Sequence, residues 1–229
     1  MLVRAVLSLM AFASPALAEI TSARYADPTP RYAHGVLGDA IEWGTLELVQ
    51  TDGRIVRIVL PSERVFEDLS PRLHDVDQDG DLEAVVIESH ASQGARLAIY
   101  DANGLVDATP YIGQRFRWLA PFAFADLDGD GQIELAYVDR PHLAKTLRVW
   151  RFAEGGLTQV ASLSGVTNHR IGQAFISGGL RTCGAGPEMI LASANWSELV
   201  SIRLQDNTLS ATPLGPFTGP DNWALALSC

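Results

Sequence analysis

The sequence predicts an all-β fold: a radial array of about four four-stranded units, closed by the C-terminal strand. Three observations carry this reading. An alternating strand ending in a Gly, Asn or Asp turn recurs about every fifty residues. Two acidic segments occupy the same place in that repeat, beginning at Asp75 and Asp126, 51 residues apart. No helical apolar period is legible after the first eighteen residues.

Residues 1–18 read as a secretory signal peptide. Arg4 precedes an apolar stretch from Ala5 to Ala13, and Ala16-Leu17-Ala18 forms a small-residue cleavage site before Glu19. The alternative, a membrane anchor, is disfavoured by the short apolar stretch and by Pro15. Nothing later in the sequence suits a membrane span, so no membrane insertion is expected after cleavage. A secreted or periplasmic location follows.

With Arg4 removed, the 17 basic residues of the 229-residue chain become 16 against 27 acidic ones, a formal charge of −11. Without a basic stripe, that balance excludes nucleic acid as a partner. Cys183 and Cys229 are the two cysteines of the chain, and export allows them to pair; two buried free thiols are the alternative.

Residues 19–31 are polar and interrupted by Pro28 and Pro30, so they read as an N-terminal extended segment before a domain spanning 32–229. Four units follow, each with strands a to d. Strand b recurs at 32–37, 82–87, 133–138 and 188–192. The shared strand c recurs at 44–53, 94–104, 145–155 and 199–207, and strand d at 54–60, 105–111, 157–163 and 209–214. The first unit lacks a strand a. The C-terminal Asn222-Trp223-Ala224-Leu225-Ala226-Leu227 resembles the strand a at Pro121–Ala125, and is expected to complete the first unit and close the ring. Cys229 then lies beside Cys183 in the a-to-b turn of the fourth unit.

The acidic loops join strand a to strand b in units two and three. Asp75, Asp77 and Asp79 stand at positions 1, 3 and 5, Gly80 at 6 and Glu83 at 9; Asp126, Asp128, Asp130, Gly131 and Glu134 repeat them. Ca²⁺ takes six to eight oxygens, and carboxylates crowded at this spacing repel one another unless a cation lies among them. The main-chain carbonyls of Asp81 and Gln132 fill the remaining protein position in each loop. Mg²⁺ demands stricter octahedral geometry and keeps its water. An EF-hand shares the beginning of the pattern, but its twelfth position needs a bidentate Glu and here holds Val86 and Tyr137. Apolar runs, Ala84-Val85-Val86-Ile87 and Leu135-Ala136-Tyr137-Val138, follow the loops as strands, not helices. The plain alternative is an acidic surface turn that binds nothing. In unit four Ser177 stands where Asp126 would, with no carboxylate before Glu188, so no calcium is expected there.

The segments at 75–83 and 126–134, on a β repeat of about fifty residues, resemble the FG-GAP (VCBS-type) repeats of integrin α-subunit propellers and exported bacterial proteins. The resemblance is strongest over about 70–165. It implies a small β-propeller with two Ca²⁺ ions held in its a-to-b loops. The Phe-Gly and Gly-Ala-Pro signatures of that family are not legible, and four blades are fewer than the seven of the integrin propeller. The chain therefore reads either as a small closed ring or as part of a larger propeller completed by a partner.

The sequence holds no GxSxG elbow, HExxH, CxxC or phosphate loop, and no catalytic residue is nominated. His34 reads as a structural residue and His74 as a poor ligand for an oxygen-seeking cation. Trp43 and Trp196, in corresponding b-to-c loops, mark a ligand face for a protein or glycan or else pack between blades; Trp118 and Trp223 read as core. The functional expectation is a non-enzymatic binding or scaffold module. The alternative is a hydrolase or lyase using Glu42, Glu47, Asp68 or Asp139 in the channel.

Overall fold

The computed structural model describes residues 18–229, so the signal-peptide reading falls almost entirely outside the described residues. Four antiparallel units follow one another along the chain. The first contains β1 (Ile20–Thr29), β2 (Glu42–Gln50) and β3 (Ile55–Val59), and the second β4 (Arg64–Phe66), β5 (Arg72–His74), β6 (Glu83–His90), β7 (Gly94–Asp101) and β8 (Gly104–Ala108). The third contains β9 (Leu119–Ala125), β10 (Ile133–Asp139), β11 (Thr146–Ala153) and β12 (Gly156–Ser164). The fourth contains β13 (Val166–Thr167), β14 (Gly179–Thr182), β15 (Pro187–Ser193), β16 (Glu198–Gln205) and β17 (Thr208–Pro216), and a short helix α1 (Asp221–Leu227) follows. Among the described residues no helix is long and apolar enough to cross a membrane.

The a-b-c-d order appears whole in unit three, where the sheet runs β12-β11-β10-β9. In units two and four strand a is split into two pieces: β4 and β5 both pair with β6, and β13 and β14 both pair with β15. β4 also pairs with β2 through Trp43↔Phe66, which merges units one and two into one eight-stranded sheet.

Alternation on β6 explains how the units stack. Ala84 and Val86 point into a cluster with Leu46, Leu48, Phe66 and Tyr100 at the junction of units one and two. Val85 and Ile87 point the other way, into the large core shared with units three and four. Where a strand packs against apolar clusters on both faces, successive positions are apolar, so the uninterrupted run Ala84–Ile87 is a consequence of its central place; Glu88, equally buried just beyond it, is paired with Arg64 and Arg96. Exposure rises outward instead: β3 and β17 show alternating or largely exposed residues. This face-to-face stacking of four-stranded units, buried at the inner strands and open at the outer ones, is the β-propeller arrangement. Gly94, at φ 72°, opens β7 where a Cβ would stand 2.1 Å from the Gln114 carbonyl oxygen, so glycine is required there.

Three local expectations are corrected. No strand forms over 32–37; strand b of unit one is β1, within the stretch expected to be only an extended lead-in. β1 pairs with β2 from Ile20↔Gln50 to Thr29↔Glu42, and Pro28 is tolerated because β1 lies at the sheet edge, where a missing N–H costs no ladder bond. The C-terminal segment is a helix and not the expected closing strand, so among the described residues unit one has no strand a. Ala and Leu are strong helix formers, Pro220 starts the turn, and the Asn222 side-chain oxygen accepts from the Thr218 and Gly219 N–H groups at its entry. Units one and four meet instead where the Gly172 N–H donates to the Val36 carbonyl at 3.0 Å. The cysteine pairing holds, since Cys183 and Cys229 form a disulfide that ties α1 to the a-to-b turn of unit four.

Candidate metal centre

The two acidic loops fold alike in detail. Position 4 adopts positive φ in both (Gln78, 62°; Gly129, 83°), and so does position 6 (Gly80, 99°; Gly131, 86°). These left-handed residues turn the backbone back on itself, so that alternate side chains converge. The Glu83 carboxylate accepts from the Val76 N–H at 2.7 Å, and Glu134 from Leu127 at 2.8 Å. Asp77 and Asp128 accept from the N–H two residues on, as do Asp79 and Asp130. The loops also touch, since the Gln78 side-chain amide donates to the Gly131 carbonyl at 2.6 Å.

In each loop three carboxylates meet: one oxygen from each of Asp75, Asp77 and Glu83 lies within 4.8 Å of the others, and likewise for Asp126, Asp128 and Glu134. Positions 1, 3 and 9 thus come together as the sequence predicts. Asp79 and Asp130, expected at position 5, lie outside these triads and cap the loop backbone instead. In the first loop burial pushes the Glu83 carboxyl up to about 7, with Asp77, Asp79 and Asp75 adding to the shift, and Asp77 is raised as well, chiefly by burial. The Asp75 Oδ1 atom is buried without a hydrogen-bond partner. A buried acceptor lacking a donor, set among uncompensated carboxylates, is the environment that a hard dication satisfies, so the residues present fit Ca²⁺. Asp75, Asp77 and Glu83 would hold it, and the ion would supply charge neutralisation and a rigid cross-link between the ends of the a and b strands.

The second loop differs by one residue that loop-based reading misses. Arg151 on β11 faces Glu134 across the ladder and reaches Glu134 Oε1 and Asp128 Oδ2, each at 2.5 Å, and Asp130 Oδ2 at 3.2 Å. The available signal was its place on strand c, directly opposite position 9. Burial still raises the Glu134 carboxyl, with Arg151 acting against that shift.

The remaining candidates separate. Trp43 lies within β2, not in a loop, and stacks on Tyr25; Trp196 occupies a turn and packs against Phe217 and Trp223, with the Arg170 guanidinium 4.4 Å from its ring. They belong to different clusters. Trp118 is core, 2% exposed, and donates to the Glu67 carbonyl. His34 is satisfied by the buried Glu67 at 2.5 Å and lines a cleft of about 210 Å³ with Val36, Phe116, His142 and Ile171. Of the four channel carboxylates, Glu47 is paired with Arg24 and Arg57, Asp68 with Arg72, and Asp139 with Arg140 and Arg148.

Among the described residues no cation pairs with Glu42. Burial, then the charges of Glu67, Asp39 and Asp68, push its carboxyl up to about 9. Because this is above the unfolded value, the folded state keeps a proton that the unfolded chain loses, and stability falls as pH rises from about 4.5 to about 9. Glu42→Gln is expected to stabilise the protein by about 1–3 kcal/mol at pH 8 and not at pH 4 in urea titrations. An equal gain at both pH values would refute the assignment.

Residues 75–137 match the family model of the FG-GAP-like repeat. This segment is an FG-GAP-like repeat. It runs from the first acid of one loop, through β6 to β9 and the whole of the next loop, into β10, which is one 51-residue period and twelve residues more. Among solved structures the chain is similar to the exotype rhamnogalacturonan lyase YesX, with a TM-score of 0.43 and 11% identity, over 73% of this chain and 42% of that one. The chain thus spans less than half the length of that enzyme. No curated protein matches it. The FG-GAP-like repeat contains both acid triads except for the strand c partner of the second, Arg151.

Proposed function

We propose that this protein is an exported, calcium-stabilised β-propeller module of FG-GAP-like repeats that recognises a protein or glycan partner without catalysing a reaction. The observation that carries the reading is the pair of register-matched acid triads, Asp75/Asp77/Glu83 and Asp126/Asp128/Glu134, each lodged between strands a and b. The disulfide suits an oxidising compartment outside the cytoplasm. Among the described residues unit one has no strand a, and a strand from a partner would complete the array there.

Melting curves with Ca²⁺ and with EDTA test the calcium part. A ligand at about 100 times its Kd stabilises the native state by about 2.7 kcal/mol, so Ca²⁺ should raise Tm by several degrees, and Asp77→Asn should reduce the rise. An unchanged Tm on chelation would remove the calcium assignment.

A second reading places acid–base chemistry at Glu42, which is buried close to Glu67 and Asp68. A screen of acidic and neutral polysaccharides for turnover that Glu42→Gln abolishes would establish it. Absence of turnover supports the binding module.

A further inference from the structure

We propose that Arg151 is a built-in counter-ion of the 126–134 loop, so that the two calcium loops differ in affinity and the 75–83 loop fills first. This rests on the calcium reading above and goes beyond it by ranking two loops that share one sequence pattern. The guanidinium presents its nitrogens in a rigid fork, and Nε, Nη1 and Nη2 each contact a different loop carboxylate: Glu134, Asp130 and Asp128. Asp128 and Glu134 belong to the triad that a cation would need. A calcium ion must therefore break these contacts and come to lie next to a positive charge.

The first loop carries the opposite group in the same place. The β6–β7 ladder pairs Ala84 with Tyr100, so one step further Glu83 faces Asp101. The Asp101 carboxylate is occupied by the Asn103 and Gly104 N–H groups at 2.7 and 2.9 Å. Among the described residues no arginine, lysine or histidine forms an ion pair with Asp75, Asp77, Asp79, Asp81 or Glu83.

Unit four completes the series. Its ladder pairs Met189 with Ile202, which sets Arg203 opposite Glu188, and the two are paired at 2.7 Å with Arg181 on the other carboxylate oxygen. There the loop acids are gone and arginine alone neutralises Glu188, which by strand register takes the place of Glu134. The strand c residue opposite the strand b glutamate (Glu83, Glu134 or Glu188) thus runs from Asp101 through Arg151 to Arg203 as the loop passes from all acids, to acids with a resident cation, to a cation without loop acids. One position on strand c selects between metal and guanidinium.

Calorimetric Ca²⁺ titration of the full chain, stripped with EDTA, tests this. Two binding steps separated by at least tenfold in Kd are expected. Asp77→Asn should remove the tight step and Asp128→Asn the weak one, while Arg151→Gln should tighten the weak step at least tenfold. Two steps of equal affinity in the unaltered chain, or loss of the tight step in Asp128→Asn, would overturn the inference even if Arg151→Gln fails to fold. No bound calcium in any of these proteins would overturn the calcium reading and this inference together.

Discussion

Replacing Glu88 by alanine is expected to destabilise the protein by about 3–5 kcal/mol, because it removes a fully buried carboxylate on which two partly buried arginines and two tyrosine hydroxyls converge. Glu88 on β6 is fully buried. It accepts from Arg96 at 2.9 and 3.1 Å, from Arg64 at 3.2 Å, from the Tyr111 hydroxyl at 3.3 Å and from the Tyr100 hydroxyl. Arg64 lies on β4, the strand that joins units one and two, so the carboxylate holds together a junction as well as a blade. Burial and the Glu88 charge push both tyrosines above their ordinary range, which keeps them neutral donors at working pH. Guanidinium or urea unfolding should show the loss as a lower midpoint, with Glu88→Gln intermediate because its amide oxygen still accepts. A cost below about 1 kcal/mol for Glu88→Ala would mean that the network is solvated in solution.

Removing the disulfide should cost about 4 kcal/mol in the chain-entropy model, given the separation of 46 residues between Cys183 and Cys229. That loop encloses β15, β16 and β17, so the bond constrains the unfolded state of most of unit four. It also holds α1, a seven-residue helix with no buried residue, too short to persist alone. Its other contacts include the Arg181 donation to the Ala226 carbonyl at 2.8 Å, Leu227 against Gly179, and the Trp223 ring against Trp196 and Phe217. Cys183→Ser with Cys229→Ser, or reduction with a thiol, should lower the melting temperature, whereas the calcium-dependent rise should persist because the acidic loops lie in other units. If reduction also abolished that rise, the braces would not be independent.

What was legible in the sequence was the part dictated by local chemistry. The acids at positions 1, 3 and 9, the glycine at position 6 and the strands that follow are set by charge repulsion, backbone turning and β-propensity, and they come together as their pattern predicts, while the acids at position 5 turn to the loop backbone instead. The disulfide was legible as an opportunity, since two cysteines and export permit one pairing. What escaped was decided at longer range. β1 is polar because it lies at an edge, so its strand character rests on pairing with β2 and not on its own composition. The alternating Trp223-Ala224-Leu225-Ala226-Leu227 fits a strand as a period of two but is built from good helix formers, and with no neighbouring strand to pair with, helix wins. Arg151 is distant in sequence from the loop that it enters, and only the β10–β11 register brings it to Glu134.

The edge position of β1 also bears on colloidal behaviour. Among the described residues no strand pairs with its outer side, which presents a row of main-chain donors and acceptors against which another copy can align. Arg24 stands exposed at mid-strand and Pro28 withholds a donor near its end, and both oppose such growth. The polarity that hides this strand in the sequence therefore works against edge-to-edge pairing between copies.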